Sequence, residues 1–265
     1  MSLLDDVLAD LTAEGDRIEG WVAPLGDEQW HAPTPAAGWD VATTIGHLAW
    51  TDEVVVVAVE DPQAWEQLLE QAIGDPEHFV DVNAAAAAAA TPARLLERWR
   101  RARGRVVDAL RSHPEGEKVP WFGPPMSPTS MATARFMETW AHGLDVADAL
   151  GITAEPTDRI RHVAHLGVRT RDYAFATHGL NAPTEALRIE LRSPSGELWD
   201  WGPPDATQTV SGSAYDFCLL VTHRRHRDDL DQVAAGGDAD RWLDIAQAFA
   251  GPPGTGRTPT KGPTP

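Results

Sequence analysis

Glu138 and His142 stand four residues apart in the run Arg135-Phe136-Met137-Glu138-Thr139-Trp140-Ala141-His142-Gly143-Leu144-Asp145-Val146. On a helix that spacing separates two side chains by one turn and about 40° around the axis, so both can reach one ion. A carboxylate and an imidazole together suit a borderline divalent cation such as Zn²⁺. Arg135 and Asp145 extend the same face. Two ligands hold a metal poorly, and a third donor has to come from elsewhere. His47 sits just off an apolar stripe of Val41, Ile45, Leu48, Val55 and Val59, beside Thr44 and Thr51, at an edge that would face a bundle. A histidine so placed is more often a hydrogen-bonded, partly buried side chain than a ligand. Glu-x-x-x-His is also a common accident, so spacing alone leaves both readings open.

Other reactive residue types are less promising. His162 and His165 are three apart on a predicted helix, a spacing open to a metal, but no third donor stands near them in the sequence. Cys218, within Phe217-Cys218-Leu219-Leu220, has the setting of an inert buried thiol rather than a nucleophile. Gly254-Thr255-Gly256-Arg257 lacks the preceding strand and following helix of a phosphate loop.

The elements that must hold these residues are mostly helical. From Leu3 to Val22 apolar residues recur at Leu4, Val7, Leu8, Leu11, Ile18 and Val22, a helical period. After the breaker-rich Ala32 to Gly38, Asp40 is placed to cap a second helix reaching about Val59. A third is expected from about Thr91 to Ser112, its start open to extension through the alanine run Ala84 to Ala90. The loop Trp121-Phe122-Gly123-Pro124-Pro125 precedes a fourth, capped by Ser127 or Ser130 and ending near Leu150-Gly151. Four such helices predict a four-helix bundle. Beyond Pro156 one more helix is expected to about Thr177. Leu187 to Leu191, a turn at Ser193 to Gly196 and Glu197 to Trp201 then read as a hairpin, with Thr207 to Val210 as a further strand. Ala214 to Thr222 and Ala239 to Ala250 read as helices. The class is α+β: a helical bundle over 1–155, an α+β domain over 156–250, and a Gly/Pro/Thr-rich tail over 251–265 expected to be disordered.

Composition narrows the function. The 265 residues carry a formal net charge of -18, which repels phosphate backbones and anionic lipid surfaces, so no nucleic-acid partner is expected. Apolar runs such as Val54 to Val59 fall far short of a membrane span, and Met1 to Asp6 has no signal-peptide character. With a single cysteine, the expected compartment is the reducing cytoplasm.

The segment Pro33-Thr34-Pro35-Ala36-Ala37-Gly38-Trp39-Asp40-Val41, followed by His47-Leu48-Ala49, resembles the opening signature of the mycothiol-dependent maleylpyruvate isomerase family within the DinB-like metalloproteins. Glu138-Thr139-Trp140-Ala141-His142-Gly143-Leu144-Asp145-Val146-Ala147 resembles that family's Glu-x-x-x-His helix with its following aspartate. Trp199 to Pro203 and the helix through Phe217 to Leu220 look like the family's C-terminal domain. His223 to Asp229 and Trp242 to Gly254 look closer to a branch known only as metal-binding. The resemblance implies a DinB-like bundle, and a divalent metal, usually zinc, held by His47, Glu138 and His142. It also implies a small thiol, mycothiol, and a small-molecule substrate.

Three protein ligands leave a position open for exchange. A thiol there makes an isomerase or transferase acting on a small organic acid or electrophile; a water makes a thiol-independent hydrolase; a closed site makes a non-catalytic metal- or ligand-binding module. An anionic ligand needs cations. Arg225 and Arg224, in the densest basic cluster, are the catalytic candidates, with a helix C-terminus as their alternative use. Arg135 is the substrate-binding candidate, with pairing to a carboxylate as its alternative. The oligomeric expectation is a monomer or homodimer.

Overall fold

The computed structural model describes residues 2–252, 254 and 256–260. They divide into two compact units, the first ending at Ala154 and the second starting at Glu155. The fold is α+β: helices throughout, with one small sheet in the second unit.

In the first unit, α1 (Leu3–Val22) starts at a capping box in which the Ser2 hydroxyl accepts the Asp5 N–H and the Asp5 carboxylate accepts the Ser2 N–H. A single turn, α2 (Asp27–Trp30), leads to α3 (Val41–Glu60), capped by Asp40, which accepts the Thr43 N–H at 2.7 Å. Then come α4 (Pro62–Gly74), α5 (Phe79–Ala88), α6 (Pro92–Ser112) and α7 (Pro128–Leu150). Ser127 caps α7, and Gly151 ends it in the left-handed conformation at φ 65°. Helices α1, α3, α6 and α7 are the expected bundle. Its core joins Ile18 and Val22 of α1, Ile45 and Leu48 of α3, Leu95 and Trp99 of α6, and Val146 of α7.

The alanine run does not extend α6. It closes α5, a separate helix, and the chain restarts at Thr91-Pro92. The reason is close packing: Ala84 and Ala87 are buried, and Gly46 of α3 lies so near that an added Cβ would come within 2.7 Å of the Ala84 carbonyl oxygen. Only small residues on both helices permit that approach.

In the second unit a 3₁₀ turn at Asp158–Ile160 precedes α8 (Arg161–Arg169) and α9 (Arg171–Thr177). The single helix expected here breaks at Thr170, whose hydroxyl lies 2.7 Å from the Gln247 carbonyl oxygen. Strands β1 (Leu187–Arg192) and β2 (Leu198–Trp201) form the hairpin, and β3 (Gln208–Ser213) pairs with β1 in parallel. Next comes α10 (Ala214–Val221), followed by an unforeseen strand, β4 (Gln232–Ala235), antiparallel to β3; the sheet order is β2-β1-β3-β4. The last helix, α11 (Gly237–Ile245), stops short of the expected Ala250. Of the tail, positions 253, 255 and 261–265 lie outside the described residues. Elsewhere in it the Gly251 N–H donates to the Tyr173 hydroxyl and the Thr260 N–H to the Asp229 carboxylate. Among the described residues no helix is long and apolar enough to cross a membrane.

Candidate metal centre

Among the described residues one group of three potential metal donors converges: His47 from α3 with Glu138 and His142 from α7. The Glu138 Oε2 atom lies 3.5 Å from His47 Nε2 and 3.3 Å from His142 Nε2, and all three donor atoms fall within 4.8 Å of one another. Donors that each stand about 2 Å from one ion can be at most about 4 Å apart. Both measured distances satisfy this, so the set fits a divalent cation with only small side-chain adjustment. The donor chemistry, two imidazoles and a carboxylate, suits a borderline divalent cation such as zinc.

The group is graded in exposure. His47 is buried, whereas the Glu138 side chain keeps 25% of its surface exposed and that of His142 14%. The centre is therefore reached from the Glu138 side. Behind His142, Asp145 Oδ2 lies 3.2 Å from Nδ1, and Asp145 is itself buried. A carboxylate there favours a proton on Nδ1 and turns Nε2, the nitrogen that would bind a metal, toward Glu138. Among the described residues the buried Nδ1 atom of His47 has no hydrogen-bond partner.

Electrostatics act on two of the three donors, keeping His47 neutral and Glu138 ionised. Burial lowers the pKa of His47 to about 4, against the opposing pull of Glu138. Burial pushes Glu138 upward, but hydrogen bonds from His142 and His47 outweigh it and hold the carboxyl well below the usual range.

Arg135, three residues before Glu138, is 2% exposed, and its Nε donates to Asp52 Oδ1 of α3 at 2.9 Å. Burial raises the pKa of Asp52, with Arg135 opposing. The pair is incomplete. Arg98 places both Nε and Nη2 on Glu53, at 2.8 and 2.6 Å, while Arg135 Nη2 is buried with no partner.

Trp39 forms a wall of the centre. Its ring stacks on His142 with centroids 5.6 Å apart and planes at 19°, and lies 5.1 Å from the His47 ring. Sequence reasoning quoted Trp39 within a signature without giving it a role, and it passed over Asp52. Asp52 fills the gap between Leu48 and Val55 in the apolar stripe of α3, and an acid at that position is the signal that would have found it.

The remaining candidates lie in the second unit. Arg224 and Arg225 follow α10, where Arg224 Nη1 donates to the Thr222 carbonyl and Arg225 Nη1 to the Arg224 carbonyl. Arg224 thus serves the helix-end role in part, whereas the carbonyl bonded by Arg225 lies beyond the helix. His223 before them is the one non-glycine residue at positive φ among those described, at 57°. His165 accepts from the Trp201 indole N–H and joins no three-donor group. Cys218 is fully buried, burial raises its thiol pKa well above the ordinary value, and its Sγ donates to the Ile160 carbonyl.

Residues 11–147, just over half of the chain, match the family described as mycothiol maleylpyruvate isomerase N-terminal domain. Residues 183–233 match a second family, described as wyosine base formation. Uncharacterized proteins from two strains of Mycobacterium tuberculosis are each 57% identical over 250 residues, covering 94% of this chain and 97% of their own length. Among solved structures, a mycothiol-dependent maleylpyruvate isomerase superposes with a TM-score of 0.58 at 17% identity, over 86% of this chain and 92% of that one. A histidine-to-alanine mutant of a mycothiol-dependent maleylpyruvate isomerase gives 0.57 at 16% identity, with the same coverage. At that identity the likeness establishes the shared fold.

Proposed function

From the premise that this chain belongs to the mycothiol maleylpyruvate isomerase N-terminal domain family, we propose that it is a metal-dependent enzyme. It uses a small thiol, mycothiol, for isomerisation or S-transfer on a small organic acid or electrophile. The observation that carries this reading is the convergence of His47, Glu138 and His142 on one point with an exposed side at Glu138. A divalent ion held there, zinc by the chemistry of its donors, supplies a lowered thiol pKa and hence a thiolate at neutral pH.

The protein's own residues do the rest. Asp145 keeps the His142 proton on Nδ1, so that Nε2 points to the centre as a lone pair. The low pKa of His47 keeps its imidazole neutral, and that of Glu138 keeps its carboxylate ionised, at neutral pH. Arg135 holds a spare buried donor in Nη2, and a guanidinium N–H left unpaired in the interior costs about 1–3 kcal/mol unless a ligand satisfies it. We assign Arg135 to the anionic group of the substrate. Arg224 and Arg225 remain the catalytic candidates of the second unit.

The test is metal content. The unsubstituted protein is expected to carry one zinc per chain, and His47→Ala, Glu138→Ala and His142→Ala to fall well below that. Full zinc in all three variants overturns the assignment. With cobalt in place of zinc, an added thiol is expected to shift the visible spectrum. A spectrum that responds to neither thiol nor imidazole marks a closed, non-catalytic site. Turnover of a substrate panel without thiol marks a hydrolase.

A further inference from the structure

Trp39 is held more firmly than a half-buried loop residue needs to be. Its carbonyl oxygen accepts from the Thr34 N–H at 2.9 Å and lies 3.1 Å from the Thr34 hydroxyl, and its own N–H donates to the Ala36 carbonyl at 3.0 Å. Gly38 before it turns the chain at φ 80°, a conformation that glycine adopts without strain. The side chain is fixed as well: the indole N–H donates to Asp81 Oδ1 at 3.0 Å, 42 residues away in the first turn of α5. The face of that indole meets both imidazoles of the centre, stacked on His142 and tilted against His47, whose own rings stand 4.7 Å apart.

The bond to Asp81 does little for the core. Asp81 is exposed, Trp39 is only partly buried, and a single surface hydrogen bond contributes modestly to folding. What it does determine is the angle of the indole plane. That plane limits the rotation of two imidazoles, and one of them, His47, has no partner on its other nitrogen to orient it. In place of the usual hydrogen bond to that nitrogen, His47 has an aromatic wall.

We infer that Trp39 is a positioning residue for the metal centre, and that Asp81, which is not itself a donor to it, sets the metal affinity by fixing the indole. The inference rests on the metal-binding reading above. It makes α5 part of the site, although none of the three donors comes from that helix.

The experiment measures the zinc dissociation constant by competition with a chromogenic chelator, alongside the melting temperature of the metal-free protein. Asp81→Ala is expected to weaken zinc roughly 10-fold, the low end for loss of an outer partner, while the metal-free melting temperature stays within a degree or two. Asp81→Asn, which keeps an acceptor oxygen, restores most of the affinity. Trp39→Phe keeps a ring but loses the N–H, so it weakens zinc as Asp81→Ala does, and the double variant is no weaker than either single one. Wild-type affinity in Asp81→Ala, or additive losses in the double variant, overturns the inference while leaving the metal centre intact. Failure of the unsubstituted protein to bind zinc overturns the metal reading and this inference together.

Discussion

Asp145 offers no atom to the metal, yet it governs how His142 presents its ring. Buried and 3.2 Å from Nδ1, it fixes both tautomer and rotation. Replacing Asp145 with alanine is expected to weaken zinc by about 10- to 100-fold, measured by chelator competition. An unchanged constant would mean that Trp39 and Glu138 alone orient the ring. The legible part of this site was what one helix carries: Glu138, His142 and Asp145 share a face by spacing, and any helical reading puts them together. His47 became a third donor through resemblance, because nothing in local spacing says that α3 and α7 meet at those residues. Asp52 and Trp39 also approach from other elements, and their roles exist only in three dimensions.

Three of the helices read from the sequence have chemical ends. Ser2, Asp40, Ser127 and Gly151 mark the limits of α1, α3 and α7 through caps that act within one turn. Helix α4 was missed although Asp61 caps it and Trp65, Leu68, Leu69 and Ile73 recur at helical spacing, so its signal was present in the sequence. Helix α5 was hidden by alanines, which favour a helix without saying what it packs against. Strand β4 is four residues with Val233 exposed, too little alternation to read. Packing makes two glycines opposite in character. On α3, Gly46→Ala gains about 1 kcal/mol of helix propensity but drives a methyl into the α5 backbone, where over-packing costs about 1–3 kcal/mol. The net effect is destabilising. On α6, an added Cβ at Gly104 meets nothing within 4 Å, so Gly104→Ala stabilises by up to about 1 kcal/mol. Urea midpoints are expected to move in opposite directions, and a Gly46→Ala midpoint at or above the unsubstituted value would refute the α3–α5 contact.

Over the whole molecule, a net charge of -18 surrounds a centre built to take a cation. A field of that sign draws divalent ions in and weakens as salt screens it, the Debye length falling to about 8 Å at physiological ionic strength. Zinc or cobalt is therefore expected to load faster at low salt than at high salt in stopped-flow mixing. A loading rate indifferent to ionic strength would show that the net charge plays no part. The same field opposes anionic ligands, so the proposed role of Arg135 draws on a cation inside the protein, where charge is screened least by salt. Finally, the chain's single sulfhydryl, Cys218, is sealed in the interior with its proton held. A protein so built cannot be trapped as a mixed disulfide by the thiols and disulfides around it. Any cysteine introduced at its surface would be the one reactive sulfur, so spin or fluorescent labels can be attached at a chosen point without first removing the native residue.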